Sequence, residues 1–457
     1  MIFPKDSDSS GAAARAKVRS GRSNASAGRK KSSHQKSHSK ARGILKVLGP
    51  GLVTGAADDD PSGIATYSSV GAQFGYAMLW TMPFIYPFMT AIQEISARVG
   101  RVTGRGISAN LRQYYPRWLL YLLIGLLLFA NIINLGADIG AMGAAVSLLI
   151  GGPASIYCLL LTGISLFLQI SIPYQKYAAL LKWLCLSLLA YIATAFVVRI
   201  DWMKAIAGTI LPKISFTTDY LQALVAILGT TISPYLFFWQ SSQEVEELKG
   251  APQQKALKQA PRQGPENLHR MRWDTYIGMA FSNLIAYFII LTVAVTLNAN
   301  GKTDINSAEK AAEALRPLAG PFASLLFSLG IIGTGLLALP VLAGSGAYAV
   351  GEALGWRVGL EHKVVKARAF YAVLALSTLI GLLLNFAGVN PIRALVFSAI
   401  INGVTAAPIM TFMMLMASNR KVMGKFVLPT YLKVLGWGAT VIMALAAVGM
   451  VWPTGNK

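Results

Sequence analysis

From residue 45 onward the chain alternates long apolar runs with short polar stretches, and the runs are of bilayer length. A transmembrane helix needs roughly 17 to 25 predominantly apolar residues, and about eleven such runs can be counted. They fall at 45–75, 77–97, 117–148, 154–172, 177–198, 219–241, 274–297, 320–350, 367–388, 391–416 and 431–452. The pattern predicts an all-α polytopic membrane protein, with one transport-sized membrane domain over 45–452 and no soluble module between the runs. The first, sixth and eighth runs are predicted to be interrupted, because Pro, Gly or polar residues break each near its middle.

Polar connections set the expected orientation. With the N-terminus in the cytoplasm, alternation puts Arg98, Arg101, Arg105, Arg112 and Arg117 on the inner side. The basic residues of 255–272, 357–368 and 420–425 fall there too. Every strongly basic connection then lies on one side, as the positive-inside bias requires. An odd number of crossings leaves 453–457 outside, as a short extracellular C-terminus. The longest polar connection, EVEELKGAPQQKALKQAPRQGPENLHRMR at 244–272, reads as a cytoplasmic loop with a helical start.

Composition narrows the function classes. Of 457 residues, 54% are hydrophobic and 13% charged, and mean hydropathy is +0.52. The net charge of +22 is concentrated in a Ser-, Lys- and Arg-rich tail and in the short loops. It therefore speaks for topology and contact with anionic lipid, not for nucleic acid. Residues 1–44 hold too little apolar surface to form a core and are expected to be a disordered cytoplasmic tail. The two cysteines, Cys158 and Cys185, lie within apolar runs and suggest neither a disulfide framework nor a zinc site. All four histidines lie outside the apolar runs. With no HExxH and no Gly-x-Ser-Gly near an acid, an intramembrane enzyme is not expected.

The chemistry concentrates at two interruptions. The first run meets DDDPSG at 58–63, where Pro61 donates no backbone hydrogen bond and Gly63 tolerates unusual dihedrals, so the helix should unwind. The sixth carries Gly229, Thr230, Thr231 and Ser233 directly before Pro234. Broken helices at corresponding places in two five-helix halves, 45–200 and 219–416, point to a transporter site at mid-membrane. Carboxylates at that depth are costly and call for a compensating cation. Asp60, abutting Pro61, is best placed in the unwound turn. Asp58 and Asp59 point elsewhere, one toward a wet vestibule and the other in a structural role, and sequence does not say which. Asn131, Asn134 and Asp138 form one polar helical face that either lines the pathway or packs against Asn402. Gln93 and Glu94 either cap the inner path or, by preference, serve a hydrogen-bonded structural role.

These motifs resemble the Nramp family of divalent metal transporters. GPG at 49–51 followed by Asp60-Pro61-Ser62-Gly63 is similar to the family's first-helix motif, and GTTISP at 229–234 to its sixth-helix motif. ARVGRVTGRG near the end of the second run and ASNRKVMG after the tenth add further anchors in the right order. The resemblance implies a LeuT-like fold, 5+5 inverted repeats with helices one and six broken and a peripheral eleventh helix. It also implies alternating access to a metal site at Asp60, Gly63, Thr230 (through its carbonyl) and Ser233. Thr231, Tyr235 and Gln240 would line the pathway or surround the ligands, with Asp58, Asp59, Asn131, Asp138 and Asn402. Where the family has Asn and Met ligands this chain has Gly63 and Ser233. Where it has sixth-helix histidines the chain has Tyr235 and Gln240, and a tenth-helix Gln is Ala399.

Losing the thioether leaves oxygen donors, which suit Mg²⁺ better than softer ions. The expected activity is uptake of Mg²⁺, with Mn²⁺ also carried, weakly or not coupled to protons. No cofactor is expected apart from the transported ion, and the partners are that ion and the lipid bilayer of the cell membrane, with the chain a monomer. The alternatives are a proton-coupled Mn²⁺/Fe²⁺ importer of the same family and an amino-acid transporter on the same fold.

Overall fold

The computed structural model describes residues 54, 55, 57–172, 186–251 and 253–451. The basic tail, the GPG at 49–51, Cys185, the first half of the 177–198 run and the C-terminal residues 453–457 lie outside the described residues.

Among the described residues the secondary structure is helical throughout, without a strand. The longer helices are α1 (Pro61–Phe74), α2 (Thr81–Thr103), α3 (Arg117–Ile150), α4 (Ala154–Ser171), α5 (Leu189–Val197) and α6 (Thr218–Thr231). They continue as α7 (Pro234–Gly250), α8 (Gly264–Thr296), α9 (Ala323–Leu354), α10 (Arg368–Leu384), α11 (Pro391–Ala417) and α12 (Thr430–Val451). Among the described residues, eight helical stretches are long and apolar enough to cross a membrane by length and composition. Thr81–Thr103 is not among them, because Gln93, Glu94, Arg98 and Arg101 lower its hydropathy.

Both expected breaks are present. A helical stretch through Asp58 ends at Asp59, and α1 begins at Pro61 with Asp60 as its N-cap. The sixth run splits at Ile232 and Ser233, and Pro234 opens α7. Proline at the first helical position restarts each helix, since the amide it lacks would have no intrahelical partner there. The eighth run differs from expectation: α9 runs unbroken through Pro340. Its Gly- and Ala-rich surface lets α3, α7 and α10 pack closely around it, which supports the helix where one backbone bond is lost.

Two of the arginines expected in an inner loop are instead inside α2. Arg98 and Arg101 are 5% and 0% exposed. Arg98 pairs with Glu94 at 3.0 Å, and Arg101 lies 3.6 Å from Glu244 of α7 and 2.9 Å from the Asn267 side-chain oxygen of α8. The apolar run therefore ends earlier than the helix, and polar partners from neighbouring helices receive its last turns.

At the break, α6 and α11 touch backbone to backbone. A Cβ on Gly229 would fall far inside contact distance of the Ala399 carbonyl, and one on Gly403 would stand 2.7 Å from the Val225 carbonyl oxygen. Both partners are main-chain atoms, so no rotamer change relieves the clash. Gly229→Ala is expected to cost about 1–3 kcal/mol through overpacking, read as a lower melting temperature of the purified protein. An unchanged melting temperature would show that this crossing is looser than described.

Candidate functional site

Asp60 occupies the break with a fully extended backbone (φ −69°, ψ 170°) and is 1% exposed. One carboxylate oxygen, Oδ1, accepts from its own helix start, from the Ser62 hydroxyl at 2.6 Å and the Gly63 N–H at 2.8 Å. This is an N-cap, and it fixes the side chain along the helix axis. The other oxygen, Oδ2, accepts from Asn134 Nδ2 of α3 at 3.2 Å and from the Tyr235 hydroxyl of α7 at 3.0 Å. A single carboxylate thus gathers α1, α3 and α7.

Asn134 carries the connection further, since its Oδ1 accepts from the Ser398 hydroxyl of α11 at 2.8 Å. Of the polar face Asn131–Asn134–Asp138, it is the middle residue that reaches the site. Asn131 turns to α9, donating to the Leu342 carbonyl and the Ser345 hydroxyl at 2.8 Å each. Asp138 is fully buried beside the first turn of α1, near the Ser62 N–H and Asp60. Asn402 is fully buried with both amide atoms lacking a hydrogen-bond partner among the described residues. The stripe meets α11 at Ser398, one turn before Asn402.

Asp58 and Asp59 converge on one hydroxyl from α8: Ser282 Oγ lies 2.5 Å from Asp58 Oδ2 and 3.0 Å from Asp59 Oδ1. Both are buried, so neither faces an open vestibule in this conformation. Among the described residues no three carboxylate, imidazole or thiol side chains come together as a metal cluster, and the three successive aspartates do not share a centre.

Across the second break, Ser233 Oγ donates to the carbonyls of Gly229 (2.7 Å) and Thr230 (2.9 Å), and Thr231 Oγ1 donates to that of Ile227 (2.8 Å). The Ser233 hydroxyl covers carbonyls at the end of α6 that the helix itself leaves open, whereas Thr231 Oγ1 shares the Ile227 carbonyl with the helix's own ladder. Thr230 Oγ1 is different: it is buried beside the Tyr67 hydroxyl, meets none of the α6 carbonyls among the described residues, and lies 3.2 Å from where a Cβ on Gly63 would be. Glycine at position 63 lets the two breaks approach this closely. Gln240, nearly two turns further along α7, accepts through Oε1 from the Thr54 hydroxyl.

The two ends of the bundle differ. Toward the end carrying Asp219, a cavity of about 100 Å³ lies between α1, α6 and α11, lined by Thr66, Ser69, Gln73, Asp219 and Gln222 among others. Thr66 is six residues past Asp60, roughly 9 Å along the helix. Toward the end carrying the basic connections, α2 and α7 close tightly. Ser96 Oγ donates to the Phe237 carbonyl, and Gly100 lies against the Ser241 carbonyl.

Glu94 completes that closure. Its Oε1 accepts from Arg98 Nε (3.0 Å), Arg272 Nε (3.4 Å) and the Tyr431 hydroxyl (3.2 Å), and its Oε2 from the Tyr276 hydroxyl (2.9 Å). Arg272 also stacks 5.6 Å from the centre of the Tyr431 ring. The eleventh predicted segment, α12, is therefore not merely peripheral, since Tyr431 ties its start to α2 and α8. Sequence reasoning named Glu94 but missed Ser62, Ser282, Ser398 and Tyr431. Hydroxyls are too common in apolar runs to stand out without their partners.

Solved structures share this architecture. A manganese transporter from Eremococcus coleocola, in complex with an aromatic bis-isothiourea substituted compound, matches with a TM-score of 0.72 at 17% identity, over 92% of this chain and 90% of that one. Mhp1, a nucleobase-cation-symport-1 family transporter, matches in a closed conformation with a TM-score of 0.52 at 14% identity, over 90% of this chain and 94% of that one. The fold is thus the LeuT-like one, with its first and sixth helices broken. Among curated proteins, the divalent metal cation transporter MntH of Klebsiella pneumoniae is 26% identical over 409 residues, covering 87% of this chain and 92% of that protein. A second Klebsiella pneumoniae strain supplies a relative of the same name, 26% identical over 403 residues. The family model described as natural resistance-associated macrophage protein-like matches residues 51–453, nearly the whole of the chain beyond its basic tail, and with both broken helices in place the chain belongs to the Nramp family.

Proposed function

We propose that this protein carries divalent metal cations across the membrane by alternating access, with Mg²⁺ favoured and Mn²⁺ also carried. The observation that carries the reading is Asp60, a buried carboxylate in the first helix break whose neighbours at hydrogen-bond distance are all hydroxyl or amide groups. A doubly charged ion seated there offsets the cost of keeping a carboxylate at mid-membrane. The relatives' names, divalent metal cation transporter and manganese transporter, support the substrate class.

Ligands come from the two breaks: Asp60, and the Thr230 carbonyl together with the hydroxyls of Thr230 and Ser233. Gly63 serves by leaving room, not by donating. Thr231, Tyr235, Gln240, Asn131, Asp138 and Asn402 line the route or hold ligands in place, and Asp58 and Asp59 add negative charge beside it. For Ser233 to turn toward an ion it must release the Gly229 and Thr230 carbonyls, which frees those oxygens as further donors. An all-oxygen set suits Mg²⁺, which keeps several waters and contacts one or two carboxylates.

The cavity at the Asp219 end is the entry side, and the Glu94 closure is the inner gate. Uptake is driven by the membrane potential, about 2.3 kcal/mol per charge per 100 mV, with weak proton coupling or none. Purified protein in proteoliposomes, tested with Mg²⁺, Mn²⁺ and Ca²⁺ with and without a pH gradient, checks each part. Mg²⁺ flux that ignores the pH gradient is the expected result. Acidification matching metal flux would overturn the uncoupled reading, and amino-acid flux without metal flux would overturn the substrate class.

Selectivity gives a second test. Placing a thioether at the second break with Ser233→Met is expected to shift uptake several-fold toward Cd²⁺ and Mn²⁺ relative to Mg²⁺, because soft ligands favour those ions. Unchanged competition among the three ions would remove Ser233 from the site.

A further inference from the structure

We propose that a cavity at the basic end of the bundle, away from Asp60, binds a phosphate-bearing anion. The cavity has a volume of about 400 Å³ and lies between the end of α2, the short helix Ile107–Tyr114, the last turns of α7 and the polar connection 253–259. Among the described residues four cationic side chains line it, Arg105, Lys249, Lys255 and Lys258, and no carboxylate does.

The charge is largely uncompensated. Lys249 pairs with Glu246 at 3.1 Å. Lys258 Nζ donates instead to the main-chain carbonyls of Lys421 (2.9 Å) and Val422 (3.3 Å), and Arg105 donates to the Gln113 amide oxygen. Neutral acceptors orient these groups without cancelling their charge. Among the described residues Arg105, Lys255 and Lys258 have no acidic partner within ion-pair distance, and cations so arranged around one concavity focus a positive potential that attracts anions. Arginine's planar fork matches phosphate oxygens, and lysine adds point charges.

The walls are held in shape before any ligand arrives. Leu257 N–H donates to the Arg101 carbonyl (3.2 Å) and Lys258 N–H to the Val102 carbonyl (3.0 Å), which pins the connection to α2. Gln263 Nε2 donates to the Gln253 carbonyl at 3.1 Å, closing the connection on itself. A rigid cavity loses less conformational freedom on binding than a loose one. Phosphate reaches a basic pocket of this kind either on an anionic lipid headgroup or on a soluble polyphosphate. In both cases the ligand bridges α2, α7 and the connection, and so braces the end of the bundle that Glu94 closes. The inference does not depend on what the bundle transports.

The test uses the full chain in neutral detergent without divalent cations. Melting temperature is measured with short-chain phosphatidylglycerol, with inorganic pyrophosphate, and with short-chain phosphatidylcholine as the zwitterionic control. An upward shift is expected with a phosphate-bearing anion and not with phosphatidylcholine. A shift with phosphatidylglycerol alone assigns the lipid source, and a shift with pyrophosphate assigns the soluble one. Arg105 and Lys255 are exposed, so the double variant Arg105→Gln, Lys255→Gln should keep the ligand-free melting temperature and lose the shift. No shift with either anion, or a shift fully retained in the double variant, overturns the proposal.

Discussion

Asp60→Asn is expected to abolish divalent-metal uptake while leaving the fold intact. The substitution separates two jobs of one side chain. As an N-cap, Asp60 accepts from Ser62 and the Gly63 N–H through Oδ1, and an asparagine oxygen caps a helix about as well. As a ligand, only the carboxylate offers the charge that draws a cation from water to mid-membrane. Asp60→Ala removes both, so it should also lower stability by about 0.5–2 kcal/mol. Measuring uptake in proteoliposomes beside melting temperature distinguishes the two variants. Metal flux surviving in Asp60→Asn would show that the buried charge is structural, and the proposed site would fail with it.

Glu94→Ala carries the largest expected loss of stability. Its carboxylate, fully buried, is the shared acceptor of Arg98, Arg272, Tyr276 and Tyr431, which come from α2, α8 and α12. Without it the Arg98 guanidinium, 6% exposed, stays buried without its acid. Leaving one partner of a buried pair uncompensated costs about 3–5 kcal/mol. Part of that loss should appear as easier opening of the basic end, because the same carboxylate holds three helices together there. A thiol placed at Ser96, whose hydroxyl bonds to the Phe237 carbonyl, is expected to react faster with a water-soluble reagent in the Glu94→Ala background. Glu94→Gln keeps an acceptor for the tyrosines and should fall between. Equal melting temperatures and equal thiol reactivity would mean that Glu94 does not hold the gate.

How legible the site was depends on the range of the interactions that build it. Asp60 at a break was readable because its causes are local: Pro61 lacks an amide hydrogen, and the capping partners are two and three residues away. The break before Pro234 was readable for the same reason. Asn134 was visible as part of a polar face, but its choice of Asp60 over Asn402 was not. That choice depends on helices 74 residues apart in sequence, and on Ser398 lying one turn before Asn402. Arg98 and Arg101 looked like loop residues because charge usually marks the end of a membrane run. Their acidic and amide partners lie in part on α7 and α8, beyond the reach of a local pattern.

The interruption expected in the eighth run failed for a related reason. Pro340 removes one backbone bond, but small residues on α9 let neighbouring helices pack close, and the helix continues. At Asp60 and Ser233 extended residues precede the proline; the Asp60 carboxylate caps α1, and the Ser233 hydroxyl covers the last carbonyls of α6.

The sequence by itself determined the membrane class, the helical fold and the two breaks, because hydropathy over about 20 residues and a proline's missing N–H act within one segment. Tertiary structure alone decided which oxygen of Asp60 faces Asn134 and Tyr235, that Asp58 and Asp59 share Ser282, and that α12 is tied to α2 through Glu94. Those outcomes rest on hydrogen bonds between residues up to 337 positions apart. In a medium without water a buried polar group must find its partner on another helix, and only the packing of the helices says which one is in reach.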